Sequence, residues 1–247
     1  CHVRSQLNAH YGDEVVPLDG PLPVHLMGNM WGQSWSNIYD LVYPEASQTK
    51  SVNVTQIIEE RNINEIEMVE YAEDFFLSIG FEPLPDTFWE RSLFVKPQDR
   101  SVVCHASAWN LDSANNDLRI KMCIEKNEED FITIHHELGH IFYYQAYNHL
   151  PTLFQGGAND GFHEAFGDLL TLSITPDYLN RIGFISEGEA ELAKNDSIGL
   201  LMKQALEGVV VIPWALMLDK WRAGVFKGEI GRDELNQAWW NMRESYQ

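Results

Sequence analysis

Residues 128–147 read EEDFITIHHELGHIFYYQAY, a run with the length and apolar spacing of a single long helix. Inside it stands His136-Glu137-Leu138-Gly139-His140, the HExxH pattern. Residues four apart on a helix share a face one turn apart, so both imidazoles can reach one ion. Zinc is suited by two neutral imidazoles and a carboxylate, with a fourth position left for water. Glu137 sits one step round from His136, where its carboxylate can face that water and take its proton. A chance match in a chain of this length is on the order of one in a hundred, and it would also have to fall on a helix. His140 is followed at +3 by Tyr143 and at +6 by Ala146, so the longer HExxHxxGxxH pattern is absent.

A third ligand must then come from another element. Residues 161–168 read GFHEAFGD, and Glu164 and Asp168 lie four apart on an expected helix from about Gly161 to Ser173. The stretch Pro151–Gly161, with Gly156, Gly157, Asn159 and Asp160, is a loop by composition and is long enough to fold this helix back on the first. Glu164 would complete a His2Glu site, and Asp168 would hold a ligand imidazole and fix its tautomer. Two carboxylates on a helix are more often a solvated face. The apolar neighbours Phe162, Phe166, Leu169 and Leu170 argue against simple exposure here. His163 points about 100° away from Glu164 and reads as a satisfied polar residue, as do His10, His25 and His149.

The rest of the chain reads as a mainly α protein. Of 247 residues, 45% are apolar and 12% aromatic, enough for a sizeable core and against disorder. The net charge of −20 argues against nucleic acid as a partner and against anionic membrane surfaces. No transmembrane span is expected: the most apolar stretch, Val209–Leu218, is interrupted by Pro213 and reads as a core helix. Apolar spacing near 3.6 predicts helices over Pro21–Val42, which includes Met30, and over Ile57–Ile79, stopped by Gly80. Further helices are expected at 187–207, 209–226 and 232–246. Val102–Ala106 and Arg119–Ile124 are candidate strands of a small hairpin. Cys104 and Cys123 lie at those strands, where either a bridge or two buried thiols would fit. Asn53-Val54-Thr55 and Asn195-Asp196-Ser197 are glycosylation sequons. No repeat or linker marks a domain boundary. The chain opens on Cys1 and stops at Gln247 within an expected helix, so a single partial domain truncated at both ends is expected over 1–247.

These motifs together resemble the angiotensin-converting enzyme family, zinc peptidyl-dipeptidases with HExxH and a downstream glutamate. The resemblance is carried by GPLPVHLMGNMW (20–31), CHASAW (104–109), HHELGH (135–140), GFHEAFGD (161–168) and WWNMR (239–243), in family order over nearly the whole chain. It implies a helical ellipsoid split by a deep central channel, and zinc held by His136, His140 and Glu164. It further implies Glu137 as general base and Asp168 behind a ligand histidine. His105 and Ala106 would hold the substrate backbone beside the scissile bond. Cys104 and Cys123 resemble a family disulfide, which implies an oxidising, extracellular setting, secreted or as an ectodomain. Trp239 and Arg243 resemble residues lining a chloride site, and Arg61 stands about where the family has a glutamine that helps hold the substrate carboxylate. The implied activity is release of C-terminal dipeptides from oligopeptides. Several family groups fall beyond Gln247, among them a His and a Tyr that stabilise the intermediate, so this stretch alone is expected to be inactive. A catalytically silent zinc-containing relative that binds peptides or serves as a receptor is the second reading, and retention of Glu137 argues against it. The third is a chance HExxH in an intracellular helical protein.

Overall fold

A computed structural model of the chain describes residues 2–28, 31–43, 52–195 and 197–246. In chain order its helices and strands are α1 (His2–Tyr11), α2 (Tyr39–Val42), α3 (Val54–Glu60), α4 (Glu65–Ser78), α5 (Asp86–Arg91), β1 (Ser107–Asp112), β2 (Asp117–Lys121), α6 (Glu128–Asn148), α7 (Asp160–Thr171), α8 (Pro176–Arg181), α9 (Glu187–Asn195), α10 (Ser197–Gln204), α11 (Val210–Lys227) and α12 (Leu235–Tyr246). The protein is mainly helical with one two-stranded antiparallel hairpin. It forms two compact units, Val52–Glu191 and Cys1–Ser51 with Leu192–Gln247.

The unit Val52–Glu191 is built around α6. Phe131, Ile134, Leu138 and Phe142 recur at helical spacing on its buried face. Met68, Val69, Ala72 and Phe76 of α4 pack against them, with Phe76 and Phe142 stacked at 4.2 Å between ring centres. Each such side chain contributes about 1.5–3 kcal/mol through burial. The single helix expected over Ile57–Ile79 is two. Ile58, Ile63, Met68 and Val69 all face the core, so the apolar period runs through the join. At the join Asn62 adopts a left-handed backbone (φ 52°), and Asn64 accepts the N–H groups of Ile66 and Glu67 while Glu67 accepts the N–H of Asn64. That reciprocal cap starts α4 afresh. Arg61, at the end of α3, donates to the carbonyls of Gly183 (2.6 Å) and Phe184 (2.8 Å). Its guanidinium ties two loops of this unit together, a different task from the carboxylate-holding one its position suggested.

The strands are offset from expectation. β1 pairs with β2 from Ser107↔Lys121 to Asp112↔Asp117. The stretch Val102–Ala106 is not a strand, because the chain bends at His105. Beyond Lys121 the N–H groups of Met122 and Ile124 donate to Leu93 and Phe94 instead. The hairpin docks on α6 through Asn110 to Asn148 (2.9 Å) and Asn148 to Asn116 (3.2 Å).

His135, neighbour of the first motif histidine, faces the core. Its Nδ1–H donates to Phe131 O at 2.8 Å and its Nε2 meets the Tyr178 hydroxyl at 3.0 Å. Burial pushes its pKa down to about 4, against the weaker upward pull of the Phe131 carbonyl. An unfolded histidine titrates near 6.5, so the folded state binds fewer protons in between. Stability from this group is complete above about pH 6.5 and is lost at about 1.4 kcal/mol per pH unit as pH falls toward 4. Melting of the metal-free protein across that window should therefore be less steep in pH for His135→Gln than for wild type.

In the other unit, Leu7, Val16, Met27, Ile38, Val42 and Leu206 form the core. The helix expected over Pro21–Val42 is replaced by two 3₁₀ turns, Val24–Leu26 and Ser36–Ile38, followed by α2. Pro21 and Pro23 lack N–H donors, and Gly28 and Gly32 turn the chain with φ of 63° and 61°. Met30 of that pattern lies outside the described residues, as do Cys1 and Asp196. A π turn over Ala205–Val209 precedes Pro213, whose ring would clash with the carbonyl four residues back, that of Val209. Helix therefore continues from Ile198 to Lys227, 30 residues, long and apolar enough to cross a membrane by length and composition. The core-helix expectation at Val209–Leu218 fails: in α11 only Met217 and Gly224 are buried.

Candidate metal centre

Two helices make the site. Asn127 caps α6 by accepting the N–H of Asp130 at 2.7 Å, and Glu128, Glu129 and Asp130 place negative charge on its positive end. Asn159 caps α7 by accepting the N–H of Gly161 at 2.8 Å. The helices meet at Gly139 and Gly167. A Cβ on Gly139 would lie 2.9 Å from the Gly167 Cα, and one on Gly167 would lie 2.7 Å from His136 Nδ1. Gly167→Ala should therefore displace the His136 ring or α7, weakening metal uptake and costing about 1–3 kcal/mol of stability. Parallel metal titration and thermal melting would check both effects.

This close approach brings three ligand atoms together. His136 Nε2 is 3.1 Å from His140 Nε2 and 3.2 Å from Glu164 Oε2, and His140 Nε2 is 3.6 Å from the same carboxylate oxygen. Ligand atoms 2.0–2.1 Å from a tetrahedral ion stand about 3.3 Å apart. Two imidazole nitrogens and a carboxylate converging at that spacing are the donor set zinc takes, so the residues fit the ion. Asp168 Oδ1 lies 2.9 Å from His136 Nδ1. The carboxylate thus holds the proton on Nδ1 and leaves the Nε2 lone pair toward the triangle. Burial pulls the His136 pKa down, but Asp168, with Glu137 and Glu164, outweighs it and holds it above the ordinary value. Exposure of the two carboxylates differs from expectation. Glu164 is 68% exposed and Asp168 75%. Helical spacing explains it: Gly167 and Leu170 turn inward, while Phe162 and Leu169, seven apart, face out and cover neither carboxylate.

Glu137 is buried, unlike Glu164. Burial raises its pKa, with the Glu164 charge adding to the rise and His136 and His105 opposing it. His105 is exposed at the bend before β1, where its Nδ1–H donates to Ala106 O at 2.7 Å and leaves Nε2 as an acceptor. Cys104, its neighbour, is disulfide-bonded to Cys123, tying that bend to the exit of β2. Beside the triangle, His163 is the satisfied polar residue expected, but its partners, and Tyr147 altogether, escaped the sequence reading. His163 Nδ1 is 3.1 Å from His140 Nδ1, and its Nε2 is 3.1 Å from the Tyr147 hydroxyl. The i+7 spacing of Tyr147 from His140 was the signal that could have found the tyrosine.

Other predicted residues lie away from the triangle. Asn53 is exposed and caps α3, accepting the N–H of Gln56 at 2.9 Å. Asn195 ends α9. In the unit of Cys1–Ser51 with Leu192–Gln247, Arg243 is 8% exposed and donates to Trp31 O at 2.7 Å. Among the described residues no carboxylate pairs with it. It borders a cavity of about 360 Å³ with Pro21, Val24, Met27, Trp35 and Trp240. Trp239 packs edge-on against Trp221 at 5.7 Å.

Comparison with known proteins identifies the family. The family model described as angiotensin-converting enzyme matches residues 1–247. The angiotensin-converting enzyme of Bos taurus is 46% identical over 249 residues, which cover 100% of this chain and 19% of that protein. That of Haematobia irritans exigua is 43% identical over 99% of this chain and 40% of its own length. The angiotensin-converting enzyme-related protein of Drosophila melanogaster is 41% identical over 99% of this chain and 38% of its own length. The chain thus spans between about a fifth and two fifths of these relatives' lengths. With a match along its whole length and a zinc-type donor triangle at the meeting of α6 and α7, the chain belongs to the angiotensin-converting enzyme family.

Proposed function

We propose that the protein containing this chain is a zinc peptidyl-dipeptidase that removes C-terminal dipeptides from oligopeptides. The observation that carries the reading is the triangle of His136, His140 and Glu164 with a buried carboxylate, Glu137, on the same helix. Zinc, when bound there, would supply a Lewis acid for the scissile carbonyl and for an attacking water. Glu137 would take a proton from that water as the C–O bond forms and pass it to the departing amine nitrogen as the C–N bond breaks. Its raised pKa supports this role, since a more basic carboxylate takes a proton more readily. His105 Nε2 would accept from a peptide N–H, and the Ala106 backbone would hold the peptide extended. Asp168 would keep His136 in its ligating tautomer.

The test is to incubate the purified full-length protein with a synthetic oligopeptide and follow products by mass spectrometry. The expected result is stepwise loss of dipeptides from the C-terminus, stopped by a chelator and restored by zinc. Cleavage of single residues or internal bonds would overturn the assignment. Bound zinc with no cleavage would favour a peptide-binding or receptor role.

An extracellular location, secreted or as an ectodomain, is proposed with this activity. It is supported by the Cys104–Cys123 disulfide, since such bonds persist in oxidising compartments. Glycosylation would then fall on Asn53 and Asn195. We further propose that Trp239 and Arg243 line a chloride site. A buried guanidinium whose pKa is lowered by desolvation supports an anion there. Arg243→Gln should abolish any rise in kcat/KM on adding chloride; an unchanged chloride response would remove the site from Arg243.

A further inference from the structure

We infer that His163 is a positioning residue for His140: it accepts the Nδ1 proton of His140, itself backed by Tyr147, and so keeps the Nε2 lone pair aimed into the triangle. The inference rests on reading His136, His140 and Glu164 as zinc ligands.

His140 has both ring nitrogens committed. Nε2 points into the triangle, 3.1 Å from His136 Nε2. Nδ1 points the other way, 3.1 Å from His163 Nδ1. The two Nε2 atoms at the same separation would have the ion between them, but no ion is expected between the two Nδ1 atoms, so one proton must lie there. If His163 held it, a neutral His140 would carry its own proton on Nε2, aimed into the triangle, and that nitrogen would be no ligand. If His140 holds it, the Nε2 lone pair is free. A neutral His163 then carries its proton on Nε2, where the Tyr147 oxygen, 3.1 Å away, accepts it. With Nε2 given to the metal, both bonds run outward from the triangle, His140 donating to His163 and His163 to the Tyr147 oxygen.

The His163 ring is held in this orientation. Its centre lies 4.4 Å from the Tyr143 ring and 4.9 Å from the Tyr144 ring. On the loop side, a methyl on Gly157 would come within 2.8 Å of His163 Cδ2. The two ligand histidines therefore have unlike outer partners. A carboxylate holds His136, adding charge as well as direction, whereas a neutral imidazole gives His140 direction alone.

Outer partners of ligand histidines are worth about 10–100-fold in metal affinity. The experiment is chelator competition for zinc on the full-length protein, alongside melting of the metal-free form. His163→Phe keeps a ring and loses both polar atoms; it should bind zinc about 10–100-fold more weakly with an unchanged metal-free Tm. His163→Asn can return an oxygen to the place of Nδ1 and should recover most of that loss. Tyr147→Phe removes only the far acceptor and should show a smaller loss. Wild-type affinity in His163→Phe would overturn the inference while leaving the triangle standing. So would an asparagine variant that binds zinc no better than the phenylalanine one. If His163→Phe fails to fold, His163→Asn and Tyr147→Phe decide: near-wild-type binding in the first with a loss in the second supports the inference, and any other pair overturns it. A wild-type protein that takes up no zinc would overturn the triangle and this inference together.

Discussion

Glu137→Gln in the full-length protein is expected to retain zinc and to lose turnover by about 10²–10⁴-fold, the usual worth of a positioned general base. Glutamine preserves the volume of a buried side chain, so the packing of α6 around it should survive. It carries no lone pair basic enough to take a proton from water. Glu137 lies outside the triangle of nearest ligand atoms, so metal content should match wild type. Elemental analysis and steady-state kinetics on one preparation would decide. A variant with near-normal kcat, or one that loses its zinc, would refute the base assignment.

Glu164→Ala should have the opposite signature, with zinc affinity falling by more than the 10–100-fold that outer partners are worth. Among the described residues Glu164 is the one carboxylate that pairs with both imidazoles, at 3.2 and 3.6 Å. Its side chain is 68% exposed, so truncation leaves no cavity and α7 should keep its place. A chelator titration finding wild-type affinity would mean that the third ligand comes from another residue. The two variants separate two tasks of neighbouring carboxylates: one governs whether metal stays, the other whether a proton moves.

Much of this site was legible in the sequence because helical spacing is rigid. His136, Glu137 and His140 on one stretch, and Glu164 and Asp168 on another, have their relative directions fixed by 3.6 residues per turn. The unread part depended on contacts between distant segments. Nothing in the spacing of His163 reveals that it reaches back to His140, since that depends on how α7 lies on α6. Pro21–Val42 misled because its apolar period is genuine while its prolines and left-handed glycines forbid the helix. Ile57–Ile79 misled differently: the period continues through a join that the left-handed Asn62 and the Asn64 cap interrupt. The offset of β1 follows from the bend at His105, which no alternation of side chains announces.

Backbone contact between Gly139 and Gly167 also bears on how such a centre can change over time. Where main chain rests on main chain, the gap between two rods is set by atoms that every residue type shares. Substitutions that leave this contact alone can accumulate without changing the gap, whereas a methyl added to Gly167 meets the His136 ring and one added to Gly139 meets the Gly167 backbone. The sensitivity of the centre to mutation is therefore concentrated in two positions that carry no side chain.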